Sequence, residues 1–368
     1  MVTAYEYRPA YVTPPGNTLR DELAARSMSQ TELAVSLGMA KQTISKIING
    51  KAPISEDTAI GLARVLGVPA YYWLTHEANY RAYLQEKDQR EKLAQHVDWV
   101  ERFPYKAMAA LAWVADAPKP VDRLINLLGF LGIKSPNEWQ PLIEQKRYTS
   151  YRKTASTQAD EYALYVWLIK GERDSQEQRI KRFSARVLRE SLPALRKLTT
   201  EPLEVIRSEL TRLCAESGVL LTFVPSLPML GIWGAARWLS AERPLIQLSG
   251  RYRSDDHFWF TFFHEVYHIL LHHNRTILEF GEVGFGKTEM EHEANEKASQ
   301  LLIPDDQYWP FYERRERITR DRLLAFATEL GIAPGIIVGR LQRDKRLHYN
   351  SRLNSLKRDF SALFRAAA

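Results

Sequence analysis

Between residues 17 and 85, apolar positions recur at steps of three and four in short blocks, each closed by glycine or proline. That spacing predicts a chain of short helices. NTLRDELAARSM places Leu19, Leu23 and Ala24 on one face after Pro14-Pro15-Gly16, with Asn17 as the expected cap. SQTELAVSLGM opens on Ser29, carries Glu32 three residues later and stops at Gly38, the pattern of a capping box and a glycine terminator. AKQTISKIINGK turns Ile44, Ile47 and Ile48 inward and Lys41, Gln42, Thr43, Ser45 and Lys46 outward. SEDTAIGLARVLGV and PAYYWLTHEANYRAYLQE complete this set.

Residues 86–200 continue as mostly helical sequence, broken at Pro104, Pro118-Lys119-Pro120 and Ser135-Pro136. Within RIKRFSARVLRESLPALRK, the residues Arg179, Arg182, Arg186 and Arg189 fit one helical face. A charge run of this kind reads as a solvated face, with a phosphate-contacting or acidic-partner surface as the alternative. The pattern then changes. GVLLTFVP, GAARWLS and PLIQLS read as strands, and FWFTFFHEVYHILL (258–271) is apolar nearly all the way round, the mark of a buried helix. The fold class expected is mainly α with a small β-sheet, α+β.

Composition narrows the function classes. The chain has 368 residues, 45% hydrophobic and 26% charged, enough for two or three domains. A net charge of +7 permits a nucleic-acid partner. No segment reaches the 18 uninterrupted apolar residues of a membrane span, and Cys214 is the single cysteine, so no internal disulfide forms. The N-terminal MVTAYEYRPAYVTPPG lacks the charged-then-apolar order of a signal peptide. These features lead us to expect a cytoplasmic protein with no membrane partner.

The buried helix carries the chemistry. Thr261, His264, His268 and His272 fall at steps of three, four and four, one stripe of a helix, and six of the nine histidines lie between His257 and His292. Ionisable groups in an apolar core cost several kcal/mol, on the order of a lost solvation shell, unless something satisfies them. In H-E-x-x-H two imidazoles four residues apart can hold one Zn²⁺, and the intervening Glu265 can act on water as general base. A third protein ligand is expected from EMEHEANEKASQLLIP, a helix preceded by Thr288 as cap and ended by Pro304. There Glu291, Ala294, Asn295, Ala298, Leu301 and Leu302 share a face, while Glu293 points away with Lys297. Helical geometry favours Glu291, with Glu293 next and His292 third. GEVGFGKT (281–288) fits the phosphate-binding pattern G-x-x-x-x-G-K-[ST], but no repeated strand-helix units and no later acidic strand accompany it. A glycine-rich connector is the preferred reading, and nucleotide binding the minor alternative.

The N-terminal blocks suit a helix-turn-helix whose second helix enters the major groove, where Gln30, Lys41, Gln42, Thr43, Ser45, Lys46 and Lys51 reach base edges and phosphates. Residues 1–85 hold eight Lys/Arg against seven Asp/Glu, so phosphate binding there depends on local placement. PPG-x-x-L, SQ-x-x-LA, ISKIINGK, A-x-x-LA-x-x-LG and YWL-x-x-x-x-NY resemble the XRE (lambda-repressor-like) family, and more narrowly HigA-type antidotes. Residues 215–345 resemble the ImmA/IrrE zinc metallopeptidases on GAARWL, LIQLSGRYRSDDHFWFTFFHEVYHILLHH, E-x-x-AN-x-x-A-x-x-LLIP and GIAPGIIVGRLQ, departing at Lys297, where an aromatic is common.

The resemblance implies a zincin-like domain with Zn²⁺ on His264, His268 and Glu291 and Glu265 as catalytic base. It also implies binding as a homodimer to double-stranded, palindromic operator DNA. The domains expected are a helix-turn-helix (1–85), a helical connector (86–200), a metallopeptidase domain (201–345) and a tail (346–368). Strand addition of an extended peptide at an edge formed by Gly234, Ala235, Ala236 and Arg237 is the expected substrate mode. The function expected is a DNA-binding regulator that hydrolyses a peptide bond in itself, in a helix-turn-helix repressor or in a toxin. The alternative is an antitoxin or repressor whose peptidase-like domain senses without hydrolysis.

Overall fold

The structure is a computed structural model that describes residues 12–146, 160–251, 253–272, 277–280, 289–313 and 317–364. The GEVGFGKT loop and the Thr288 cap lie outside the described residues. Two compact units divide the chain, residues 1–96 and 97–368. Among the described residues, no single helix is long and apolar enough to cross a membrane.

Among its described residues, the first unit has five helices: α1 (Pro15–Ala25), α2 (Gln30–Leu37), α3 (Lys41–Ile48), α4 (Glu56–Leu66) and α5 (Ala70–Ala94). Leu19, Leu33, Ile44, Ile47, Leu62 and Trp73 form its core. Ser29 and Glu32 close a reciprocal capping box on α2, and Gly38 ends that helix in the left-handed region. Asn17 is not a cap. The helix begins two residues earlier, with Pro14 at the cap position, and the Asn17 backbone N–H donates to Pro14 O at 2.9 Å. Ala24 is exposed rather than inward. The Pro-Pro-Gly entry has a steric cause: a Cβ on Gly16 would lie 2.4 Å from the backbone oxygens of Ile47 and Ile48, so only glycine lets α1 start against the end of α3.

The second unit opens with α6 (Tyr105–Ala110), α7 (Pro120–Leu131), α8 (Trp139–Gln145), α9 (Glu161–Ser175), α10 (Ala185–Lys197) and α11 (Leu203–Glu216). Strands β1 (Leu220–Phe223), β2 (Ile232–Ser240) and β3 (Arg243–Leu248) follow, then α12 (Asp255–Leu271) and β4 (Ile277–Phe280). Helices α13 (Glu289–Leu302), α14 (Asp305–Glu313), α15 (Arg320–Leu330) and α16 (Pro334–Arg343) come last. The four strands lie in the order β1-β3-β2-β4, with β1 parallel to β3 and the other pairs antiparallel.

Both faces of the sheet are covered. Ala236, Ile246 and Leu248 join Trp259, Phe262 and Val266 of α12 in one core. On the opposite face Gln247 donates to Trp167 O at 2.6 Å, and Arg237 donates to Leu168 O at 2.8 Å. So α9, in the segment expected to be a connector, is the second cover of the sheet. The segment expected to be a tail is also structural: Leu356, Phe360 and Leu363 belong to the same core as α12. The four arginines expected on one face are split, because α10 begins only at Ala185; Arg179 and Arg182 precede it, and Arg182 pairs with Glu242.

Candidate metal centre

Helix α12 forms where the sequence is most apolar, starting after Ser254 with Asp255 and Asp256 in its first turn, acids placed at the positive end of the helix dipole. The C-terminal segment locks that end: Lys357 Nζ lies 2.7 Å from Asp256 Oδ2, and Arg358 Nε lies 3.3 Å from Asp255 Oδ2. Arg358 also donates to the carbonyls of Thr199 and Glu201. A helix pinned this way holds its buried stripe in a fixed orientation.

That stripe meets α13. His264 and His268 are 0% and 1% exposed, and their Nε2 atoms stand 2.7 Å apart. Helix α13 packs along α12 and brings the Glu291 carboxylate to 3.2 Å from His264 Nε2 and 3.5 Å from His268 Nε2. Ala294, Ala298, Ser299 and Leu302 are the buried residues of this helix. One atom from each of the three side chains falls within 4.8 Å of the others, and among the described residues this is the one such group.

The trio could hold a metal ion such as zinc. Bonds of ~2.0–2.1 Å in a tetrahedron separate ligand atoms by roughly 3.3 Å, close to the two imidazole–carboxylate distances and wider than the 2.7 Å between the two imidazole nitrogens, and three protein ligands leave one position open. Burial pushes the His268 imidazole down to about 4. Burial alone would raise the Glu291 carboxyl, but the imidazoles of His264 and His268 outweigh it and bring it to about 2. Both directions favour the ligand forms, neutral imidazole and carboxylate anion, at neutral pH.

Glu265 is fully buried and lies against the sheet. A Cβ on Gly234 would fall 2.6 Å from Glu265 Oε1 and 2.8 Å from Thr261 Cγ2, so the carboxylate occupies the space that glycine leaves on β2. This contact corrects the role expected of β2. Its residues Gly234, Ala235 and Ala236 are paired with β3 on one side and β4 on the other, so they form no free edge for a peptide. Arg237 is 2% exposed and is spent on Leu168 O and on Gln247 Oε1, at 2.9 Å, on the face away from α12. Gly234 does reach the site, through its missing side chain.

Glu293 and His292 stay outside the trio. His292 is exposed, whereas Glu293 Oε2 lies 3.4 Å from Nε2 of His272. Sequence reasoning passes over Trp233, Phe260, Ser299 and Arg343, which with Leu302, Ile336 and neighbours line a cavity of about 520 Å³. Phe260 sits one turn before His264, with ring centroids 6.2 Å apart.

In the first unit, Lys41, Gln42, Lys46 and Lys51 are exposed, Thr43, Ser45 and Gln30 are half-buried, and Ile44, Ile47 and Ile48 are buried. Helix α3 therefore shows a polar outer face carried on an apolar inner one.

Comparison with known proteins agrees with both halves. The helix-turn-helix family pattern matches residues 19–73, and that of the IrrE N-terminal-like domain matches residues 226–342. Among solved structures, a protein described as an antidote of a plasmid maintenance system from Nostoc punctiforme is 28% identical, over 23% of this chain and 92% of that chain, with a TM-score of 0.22. An addiction module antidote of the HigA family from Coxiella burnetii is 30% identical, over 23% of this chain and 91% of that chain, with a TM-score of 0.21. No curated protein matches. The chain thus resembles the helix-turn-helix family over residues 19–73 and the peptidase M78 family of IrrE N-terminal-like domains over residues 226–342.

Proposed function

We propose that this chain is a DNA-binding regulator whose second unit is a zinc-dependent metallo-endopeptidase. The observation that carries the peptidase reading is the convergence of His264, His268 and Glu291 beside a buried Glu265. Zinc, when bound, supplies Lewis acidity that polarises a peptide carbonyl and makes water more acidic. Glu265, adjacent in sequence to His264 and seated against Gly234, accepts the proton of the attacking water on a carboxylate oxygen and returns it to the leaving amide nitrogen. The cavity beside Phe260 and Trp233, with Leu302 and Ile336 in its wall, has the size and apolar lining to receive a substrate side chain. The substrate class is a peptide segment of a regulator protein or of this chain itself.

The first unit supplies DNA recognition. Lys41, Gln42, Thr43, Ser45 and Lys46 on or partly on the outer face of α3 suit base edges and phosphates of the major groove, with Gln30 and Lys51 at the backbone. A homodimer on paired half-sites follows from the geometry that such motifs use.

Glu265→Gln tests the peptidase reading. Zinc-loaded wild type, incubated with lysate of its source cell, should generate new peptide N-termini detectable by mass spectrometry. The variant should lose that activity by roughly 10²–10⁴-fold while keeping its zinc. Equal cleavage by both would remove Glu265 from the mechanism.

A second reading, metal binding without hydrolysis, is favoured by two observations. Strand β2 is paired on both sides at Gly234–Ala236, and Glu265 has no exposed surface, as in a closed, sensing domain. Full zinc occupancy with no new N-termini in either protein would support it.

A further inference from the structure

His272 continues the stripe of His264 and His268 one turn further along α12, and no step above uses it. It is 8% exposed, and its Nδ1 stands 3.0 Å from Nδ1 of His268. Its other ring nitrogen, Nε2, faces Glu293 Oε2 at 3.4 Å. Two imidazoles that meet nitrogen to nitrogen satisfy each other only when one presents N–H and the other a lone pair. Here the direction is set. His268 turns Nε2 toward His264 and Glu291, and a nitrogen that gives its lone pair to a cation carries no proton, so the proton of His268 is on Nδ1. That N–H donates to Nδ1 of His272. The proton of His272 is then on Nε2, which faces a carboxylate. This assignment satisfies the contact between the two rings and turns the His272 N–H toward Glu293, whose carboxylate lies within ion-pair range but outside hydrogen-bond geometry.

We propose that His272 and Glu293 form an outer chain that fixes the tautomer and ring orientation of His268, and so set the affinity of the site for a divalent cation. This rests on the metal reading of His264, His268 and Glu291. His272 and Glu293 are positioning residues; neither is among the three converging ligands. The chain gives Glu293 a place that its position on α13 otherwise leaves unexplained. Two residues after Glu291, it points away from the ligand face, yet it reaches the last turn of α12. Its side chain is 47% exposed, so it keeps water contact while offering its charge to the buried ring. Glu289, His292 and Glu296 lie at the same end, lining with His272 a cavity of about 700 Å³. A histidine ligand commonly donates its second N–H to a carboxylate directly; here an imidazole is interposed.

The experiment uses the full chain and zinc alone as probe, with the dissociation constant read by competition against a chromophoric chelator. His272→Leu removes the acceptor and should weaken zinc binding by roughly 10–100-fold, the range for partners of ligating histidines. Glu293→Gln should weaken it less. The double variant should bind no worse than His272→Leu, because Glu293 acts through His272. In the cobalt-substituted protein, the exchangeable N–H proton signal of His268 should exchange faster or shift in both variants, a change that packing alone does not produce. Wild-type affinity and an unchanged cobalt spectrum in both variants would overturn the proposal. Additive losses in the double variant would overturn the chain. If His272→Leu fails to fold, the partly exposed Glu293→Gln carries the test by the same two readouts. Wild type that holds no zinc sinks the metal reading and this proposal together, whereas wild type that holds zinc beside unaffected variants sinks this proposal alone.

Discussion

The missing side chain at Gly234 decides where Glu265 stands. A Cβ there would meet Oε1 at 2.6 Å, closer than a carbon and an oxygen tolerate, and the second obstacle, Thr261, belongs to the same buried stripe. Gly234→Ala should therefore displace the Glu265 carboxylate without touching His264, His268 or Glu291. The expected outcome is retained zinc with peptide hydrolysis lowered by at least an order of magnitude (~10-fold or more), read as a fall in kcat with metal content unchanged. Normal hydrolysis in the variant would mean that Glu265 has freedom that this packing denies it. Much at this scale is legible in the sequence. H-E-x-x-H marks the two histidines and the glutamate by spacing, and helical phase separates Glu291 from Glu293. The contact of Glu265 with Gly234 is not legible, because it joins two elements that only the sheet register brings together.

At the scale of elements, local signals are easy to read and long-range partners are not. Ser29, Glu32 and Gly38 bound α2 through contacts within three or four residues, and β1, β2 and β3 follow from their apolar runs. Helix α9 escapes notice as a cover of the sheet because the residues that tie it down are Arg237 and Gln247, polar side chains that look solvent-facing until their carbonyl partners are known. Strand β2 looks like an edge in sequence because its pairing with β4 spans the whole of α12. The N-terminus of α12 offers a pH test. Burial first, and then the neighbouring Asp256, push the Asp255 carboxyl up to about 6 from its ordinary 3.8, against the pull of Arg358. A carboxyl that holds its proton more tightly when folded favours folding at low pH, and that contribution is lost as pH rises from about 3.8 through about 6. Asp255→Asn cannot ionise. Its stability relative to wild type, measured by urea unfolding, should therefore improve between about pH 4 and about pH 7, by up to ~3 kcal/mol. A difference that does not change with pH would contradict the assigned burial.

At the scale of the whole molecule, each of the two units closes its own core: Leu19, Ile44 and Trp73 in one, Trp259, Phe262 and Ile337 in the other. Calorimetry should show two transitions, and added zinc should raise one of them while leaving the other in place, since a ligand stabilises only what it binds. Transitions that move together would show that the units unfold as one. Both proposed readings, hydrolysis and sensing, require metal at the trio, so elemental analysis of the purified protein is the most direct test. We predict about one zinc per chain in wild type, lost in His264→Ala and in Glu291→Ala, with the fold intact by circular dichroism. A wild type that stays metal-free after zinc is added back, or an alanine variant that keeps its zinc, would contradict the assignment of these residues.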